Sequence, residues 1–230
     1  MPTRRKFLLA ASAALLILPL PAASAADDLQ SVLHRLDVAA AKFHTTTADF
    51  EFDSIQTDPI PDKDVQKGTV YYERKGNAFQ MAAHIHEVNG KPGFKVYTYS
   101  GGMLKLYEQK INQVTRIKAG KFESYLMLGF GASGKDLADK WEITYLGSET
   151  LDGIMTEKLE LIARDPTVRK NLPKVTIWVD ADRGVSLKQV FDEGAGQYRV
   201  CVYFNFKVNQ SLPSDAFKFK TNRDTQYIDR

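Results

Sequence analysis

Cysteine is nearly missing from this chain. Cys201 is the one thiol in 230 residues, so no internal disulfide can staple the fold and stability has to come from packing. Long apolar runs are equally scarce: one extends from Phe7 to Leu20, and nothing after it approaches the roughly 20 residues of a spanning helix. An excess of one charge is lacking too. The net charge of +3 is carried by Arg4, Arg5 and Lys6; without these three, the 31 basic residues fall to the number of acidic ones, 28. A neutral remainder has no electrostatic footprint for nucleic acid and little pull toward anionic membranes. There is no G-x-S-x-G elbow, and no spacing reads as a Ser-His-Asp arrangement. No catalytic constellation, cofactor site or metal site is expected, and the chain does not read as an enzyme.

What is present begins with a leader. A basic head, an apolar run and the small-x-small triplet Ala23-Ser24-Ala25 form the three-part pattern of a secretory signal peptide. Residues 1–25 are therefore expected to be removed, leaving 26–230 as one exported, periplasmic domain. Thr3-Arg4-Arg5-Lys6-Phe7-Leu8 also fits most of a twin-arginine signal, so both export routes stay open. No Cys stands at the cleavage site, which excludes a lipid-anchored lipoprotein. About 205 remaining residues suffice for one substantial core.

Along the chain the hydrophobic period changes once, early. Leu29, Val32, Leu33, Leu36, Ala40 and Phe43 recur at helical spacing, predicting an amphipathic helix over Asp27–His44. Thr45-Thr46-Thr47 ends it, since β-branched residues resist helix. Period two then takes over: Phe50 with Phe52, Val70 with Tyr72, and Phe79, Met81, Ala83 with Ile85. Short turns such as Gly101-Gly102 join the runs, so neighbours are antiparallel. "DPIPDKDVQK" is expected to loop out. The strands stop between Lys118 and Lys140, where "KFESYLMLGF" predicts a short helix and Ser133 caps a second helical turn. Five or six strands follow, with Asp165–Pro173 as a loop and a short strand at "LPSDAFKF". The fold class is mainly β: one strongly curved antiparallel sheet, an unclosed barrel with helices over its concave apolar face.

Four local features compete for a function. "GFGASGKD" (residues 129–136) satisfies both G-x-G-x-x-G and most of G-x-x-x-x-G-K. A phosphate cradle needs a strand before it and a parallel βαβ unit around it. Here the preceding segment is helical, the sheet is antiparallel, and Asp136 stands where a Ser or Thr would bind Mg²⁺. Gly129, Gly131 and Gly134 read instead as a mobile joint between two helical pieces. His84 and His86 share a strand face but have no third ligand, and solvent-facing rings are expected. Cys201 alternates with Arg199, Tyr203 and Asn205, opposite Val200, Val202, Phe204 and Phe206; without a neighbouring base it is a quiet thiol. Asp62 and Asp64 fall in the expected loop and read as solvated. The abundant Phe, Tyr, Val, Met and Ile of the strands suit either a filled core or an apolar pocket under a partial helical cover, and periodicity does not separate the two.

The order of elements resembles the LolA family of periplasmic lipoprotein carriers over nearly the whole exported chain. "VLHRLDVAAAKFHTTTADFEF" is similar to the family's opening helix and first strand, "GTVYYERKGNAFQMAA" to its next hairpin and "VYTYSGGMLKLYEQKINQV" to a turn between consecutive strands. "KVTIWVDADRGVSLKQVFDEGAGQYRVCVYFNFKVNQSLPSDAFKFK" resembles the C-terminal strands, and "YLMLGFGASGKDL" a block of a LolA-like subgroup. The resemblance implies a carrier whose hollow holds acyl chains of lipoproteins or other lipids between inner and outer membrane. It implies an inner-membrane releasing transporter and an outer-membrane acceptor as partners, no stable membrane insertion and a monomer. On it, Phe50, Phe52, Val70, Tyr72, Met81, Ile85, Val96, Ile177, Val179, Val202 and Phe204 are expected to line the hollow. Phe122, Tyr125, Leu126, Leu128 and Phe130 would form a lid, hinged at Gly129, Gly131 and Gly134. Where well-studied carriers use an arginine to latch the lid, this chain has Gln80. The alternative function is a periplasmic lipid or lipoprotein sensor of the same fold with no transport role.

Overall fold

Residues Ala25–Lys42 form the first helix, α1. In this computed structural model, which describes residues 25–76, 78–120 and 123–230, six strands follow: β1 (Thr45–Gln56), β2 (Asp62–Lys75), β3 (Ala78–Val88), β4 (Lys91–Ser100), β5 (Met103–Glu108) and β6 (Gln113–Lys118). Two short helices interrupt them, α2 (Glu123–Leu126) and α3 (Gly134–Lys140). Then come β7 (Trp141–Leu151), β8 (Ile154–Ala163), α4 (Pro166–Asn171), β9 (Lys174–Asp180), β10 (Val185–Gly194), β11 (Gln197–Val208) and β12 (Gln226–Asp229). The expected leader lies outside the described residues except for Ala25, and Phe122 of the expected lid lies outside them too.

All twelve strands belong to one sheet, in the order β12-β6-β5-β4-β3-β2-β1-β11-β10-β9-β8-β7. The pairing of β1 with β11 joins the two strand sets, and β7 and β12 are left as edges of an unclosed barrel. From β1 to β11 every pairing is antiparallel; β12 runs parallel to β6. Three local expectations need correction. β1 and β2 stay paired as far as Gln56 and Asp62, so most of "DPIPDKDVQK" is strand rather than loop. Asp165–Pro173 contains α4, started by the Asp165 carboxylate accepting from Thr167 N at 2.8 Å, with Pro166 in the first turn. The tail segment around Leu212–Phe219 is irregular, and its strand comes later, at β12.

The tail crosses the convex face. There the ring of Phe219 stacks on Tyr107 at 5.2 Å, and His84 Nε2 lies 2.9 Å from the Ala216 carbonyl. His84 is therefore half-covered rather than solvent-facing, and burial lowers its pKa; His86 is exposed.

On the concave side, α1 covers only β7 to β9. Val32, Leu33 and Leu36 pack there with Trp141, Leu159, Leu161, Val175, Ile177 and Val179. The helix is also clamped by charge. Arg35 donates from Nη1 to Glu157 at 2.7 Å and from Nε and Nη2 to the two oxygens of Asp182 at 2.8 and 3.0 Å. Glu157, with only 5% of its side chain exposed, also accepts from Tyr145 and Ser148 at 2.9 and 2.8 Å. Burial opposes its ionisation, but these donors and Arg35 outweigh burial and hold the carboxyl below its usual range. Arg35 likewise holds the Asp182 carboxyl low, chiefly by hydrogen bonding.

The glycines of "GFGASGKD" do not have the open surroundings of a joint. Gly129 O accepts from Ser186 N at 2.7 Å, and Gly131 N donates to Gly184 O at 2.9 Å. Phe130 between them bridges to Val185. Added Cβ atoms would fall 2.4 Å from Ser186 Cβ at Gly129, 2.4 Å from the Phe43 ring at Gly131 and 2.1 Å from Leu33 O at Gly134. These glycines let backbone pass against backbone and ring, so the expected hinge is corrected to a pinned crossing. Ser133 does cap α3, accepting from Asp136 N at 2.9 Å.

Arg35→Met should lower the unfolding free energy at neutral pH by about 1.5–3 kcal/mol, the scale of a hydrogen bond to a charged group, with Asp182, 72% exposed, contributing the lesser part. Because Glu157 and Asp182 have depressed folded pKa values, their contribution is complete above the unfolded carboxylate pKa of about 4. It is lost as pH falls through the folded values. Denaturant melts should show the gap between wild type and variant narrowing with acid; a gap unchanged at low pH would place its origin elsewhere. Gly131→Ala and Gly101→Ala both force alanine into a left-handed conformation, at φ +67° and +58°. Gly101 has no neighbour within 4 Å of an added Cβ, so Gly131→Ala should lose about 1–3 kcal/mol more, from overpacking. Equal losses would restore the mobile joint.

Candidate functional site

Side chains directly opposite one another in a sheet share a face, so the register carries one face across the whole barrel. Phe50 lies opposite Gly68 and Tyr203, and Phe52 opposite Gln66 and Cys201. Met81 lies opposite Tyr72 and Tyr99, and Ala83 opposite Val70 and Tyr97. Leu104 continues the row from Tyr99 to Ile117. On the other side, Gln189 follows Cys201, and Ile177 follows Gln189.

Where α1 covers this face, it is a closed core. Over β1 to β6 and the adjoining β10 and β11 it is not, and a hollow of two adjoining lobes opens, about 470 and 520 Å³. Each falls in the range of small-molecule sites, ~300–1,000 Å³. Phe52, Tyr72, Met81, Leu104, Leu126, Cys201, Tyr203 and Arg199 line both.

The crossing from β6 to β7 forms part of the wall. Tyr125 and Leu126 face the hollow. Leu128 and Phe130, 2% and 0% exposed, do not cover it; they anchor the crossing in the two apolar groups that flank it. Phe130 stacks on Tyr72 with centroids 4.0 Å apart and meets Tyr203 edge-on at 4.9 Å. Gln189 Nε2 donates to Leu128 O at 2.6 Å, and Tyr203 OH donates to Gln189 Oε1 at 3.2 Å. Among the described residues of the expected lid, Tyr125 and Leu126 are thus the ones that face the hollow, and Leu128 and Phe130 are corrected to anchors of the crossing.

The expected lining residues divide in three. Phe50, Phe52, Val70, Tyr72, Met81 and Ile85 line the hollow. Ile177 and Val179 share that face but are sealed beneath α1. Val96, Val202 and Phe204 point the other way and are corrected. Val96 pairs with His84 and Tyr107 on the face beneath the tail. Val202 sits between Glu51 and Lys188 on the convex side, and Phe204 is 41% exposed. The more apolar alternate set of β11 faces outward because register, not hydrophobicity, fixes its parity.

The residues that sequence reasoning assigned to the wrong face are Arg199, Cys201 and Tyr203. Their signal lay in pairing across the Gly194–Gly196 turn, which sets Phe191 opposite Arg199 and Gln189 opposite Cys201. Burial pushes the Cys201 thiol up to about 12 and the Tyr72 and Tyr203 phenols above their ordinary value, so this wall stays neutral. Gln80 stands on the convex side, where its amide donates to Glu73 across the strand pair. The charges of the hollow are Arg199 with Glu193 and Lys118 in one lobe, and Arg199 with Asp64 in the other. Such a wall holds apolar matter by burial and orients it by a few peripheral groups.

No family model matches the chain. An uncharacterized protein of Methanocaldococcus jannaschii is 30% identical over 115 residues, half of this chain but only 32% of that protein. Among solved structures, an uncharacterized conserved protein from Thermus thermophilus matches with a TM-score of 0.54 and 14% identity over 88% of this chain and 99% of that one. MucB matches with a TM-score of 0.52 and 12% identity over 87% of this chain and 65% of its own. A LolA superfamily protein from Nitrosomonas europaea matches with a TM-score of 0.41 and 17% identity over 83% and 97%. The chain shares its fold with the Thermus thermophilus protein and with MucB, and that fold is an unclosed antiparallel barrel with helices across its concave face.

Proposed function

We propose that this protein is an exported, periplasmic carrier, domain 26–230 after loss of its leader, that takes acyl chains of lipoproteins or other lipids into the hollow and moves them from inner to outer membrane. The observation that carries this reading is the uncovered half of the concave face, where Phe52, Tyr72, Met81 and Leu126 surround open volume instead of packing into a core. At roughly 0.8 kcal/mol per buried CH₂, a single acyl chain supplies enough free energy to be held, and release then calls for a membrane acceptor. Entry displaces Tyr125 and Leu126, while Phe130 and Leu128 keep the crossing in place. An inner-membrane transporter and an outer-membrane acceptor are the partners this role requires; the working species is a monomer.

A second reading, a lipid sensor that reports to a membrane regulator, draws on the fold likeness to MucB, a protein also solved in complex with MucA. Native mass spectrometry and organic extraction of the protein from its own compartment separate the two. A carrier comes with acyl-containing material; a sensor comes with a membrane protein and little lipid. No bound lipid, together with no uptake of an apolar fluorescent probe, would reject both. Ala83→Trp, which projects a ring into one lobe from β3, should weaken probe binding about tenfold, equivalent to about two lost methylenes of burial. Undiminished binding would move the ligand out of this hollow.

A further inference from the structure

The charged side chain common to both lobes is Arg199. Its place follows from the parity of β11: it lies opposite Ser54 of β1 and Phe191 of β10, on the same face as Cys201 and Tyr203. The guanidinium lies over the Phe191 ring at 5.7 Å, and one end, Nη2, pairs with the Glu193 carboxylate. Nε is buried and has no hydrogen-bond partner among the described residues. The side chain as a whole keeps 38% of its surface and Glu193 28%, so the pair is accessible, in a largely apolar hollow whose other charged lining residues are Lys118 and Asp64.

The other concave-face guanidinium, Arg35, differs in having all of its pairing edge engaged, by Glu157 and both oxygens of Asp182. Arg199 pairs with Glu193 through Nη2 and leaves Nε without an acceptor among the described residues. A guanidinium only donates, and its planar fork matches two oxygens of a carboxylate or phosphate. A buried donor without an acceptor is unfavourable, and an incoming oxyanion relieves that. A largely apolar hollow with such a donor in its wall orients an amphiphile, head at Arg199 and chain inward.

We propose that the hollow selects single-chain amphiphiles ending in an oxyanion, a carboxylate or a phosphate monoester. The head takes the Arg199 guanidinium, and the chain lies along Tyr72, Met81 and Leu126. Glu193 is the exchangeable partner that the head replaces. The inference rests on the hollow being a lipid site and adds the class of head group.

Displacement of an apolar fluorescent probe tests it, with palmitate, hexadecyl phosphate and neutral hexadecanol as competitors of equal chain length. The purified protein should bind one or both anions about tenfold more tightly than the alcohol, the scale of one charge-assisted pair. A preference for palmitate alone assigns a fatty acid, and for the phosphate alone a phosphorylated lipid. Arg199→Gln should abolish the preference, and displacement of the probe by the alcohol shows that the variant is folded. Glu193→Gln, by removing the competing carboxylate, should widen the preference, and it decides the matter if Arg199→Gln does not fold. Equal binding of anions and alcohol by the wild type, or a preference that survives Arg199→Gln or fails to widen in Glu193→Gln, would overturn the inference and leave the carrier reading standing. If no competitor displaces the probe, both fall.

Discussion

Everything in this molecule depends on the parity of side chains across one continuous sheet. Eleven strands in antiparallel register carry a single inward face from Ile117 through Tyr99, Met81, Tyr72, Phe50, Tyr203 and Gln189 to Ile177 and Leu159. A slip of one residue at any pairing would turn the next strand inside out. With this face fixed, the rest is a question of cover. One helix of 18 residues is long enough to seal β7 to β9, and the barrel has more inward face than that helix can reach. The hollow is the remainder.

What borders the remainder is the crossing between the two strand sets. Its backbone is tied to the β9–β10 turn by Gly129, Phe130 and Gly131. Its side chains are divided: Leu128 joins the core under α1, and Phe130 joins the aromatic group of Tyr72 and Tyr203. Three glycines make this possible by allowing contacts that a Cβ would forbid. The same residues that suggested flexibility in the letters are what let the crossing be rigid, and among its described residues Tyr125 and Leu126 face the hollow.

Charge on the inward face includes two arginine–carboxylate pairs with different degrees of saturation. Glu157 is held by three donors and fixes α1 through Arg35; its ionisation is favoured because those donors outweigh burial. Arg199 pairs with Glu193 through Nη2 and leaves Nε without an acceptor among the described residues. The first arrangement is a structural clamp. The second is half-filled, and it stands where an apolar ligand would have its polar end.

Much of the architecture was legible from period and punctuation. Helical spacing from Leu29 to Phe43 placed α1, period two placed the strands, and Ser133 marked the start of α3, because each rests on contacts within a few residues. Those local signals were enough for a mainly β chain with one early helix, an interrupted sheet and a thiol that no disulfide could use. Which alternate set of β11 looks inward was settled by the assembled sheet alone. Val202 and Phe204 are the more apolar pair, yet Cys201 and Tyr203 face the hollow, because parity is inherited through hydrogen bonding from Phe50 and Phe52 across the pairing with β1. The assembled fold also made the glycines of "GFGASGKD" points of contact, since a joint and a close crossing need the same residue and differ only in what lies beside it: Ser186, Phe43 and Leu33, all distant in sequence.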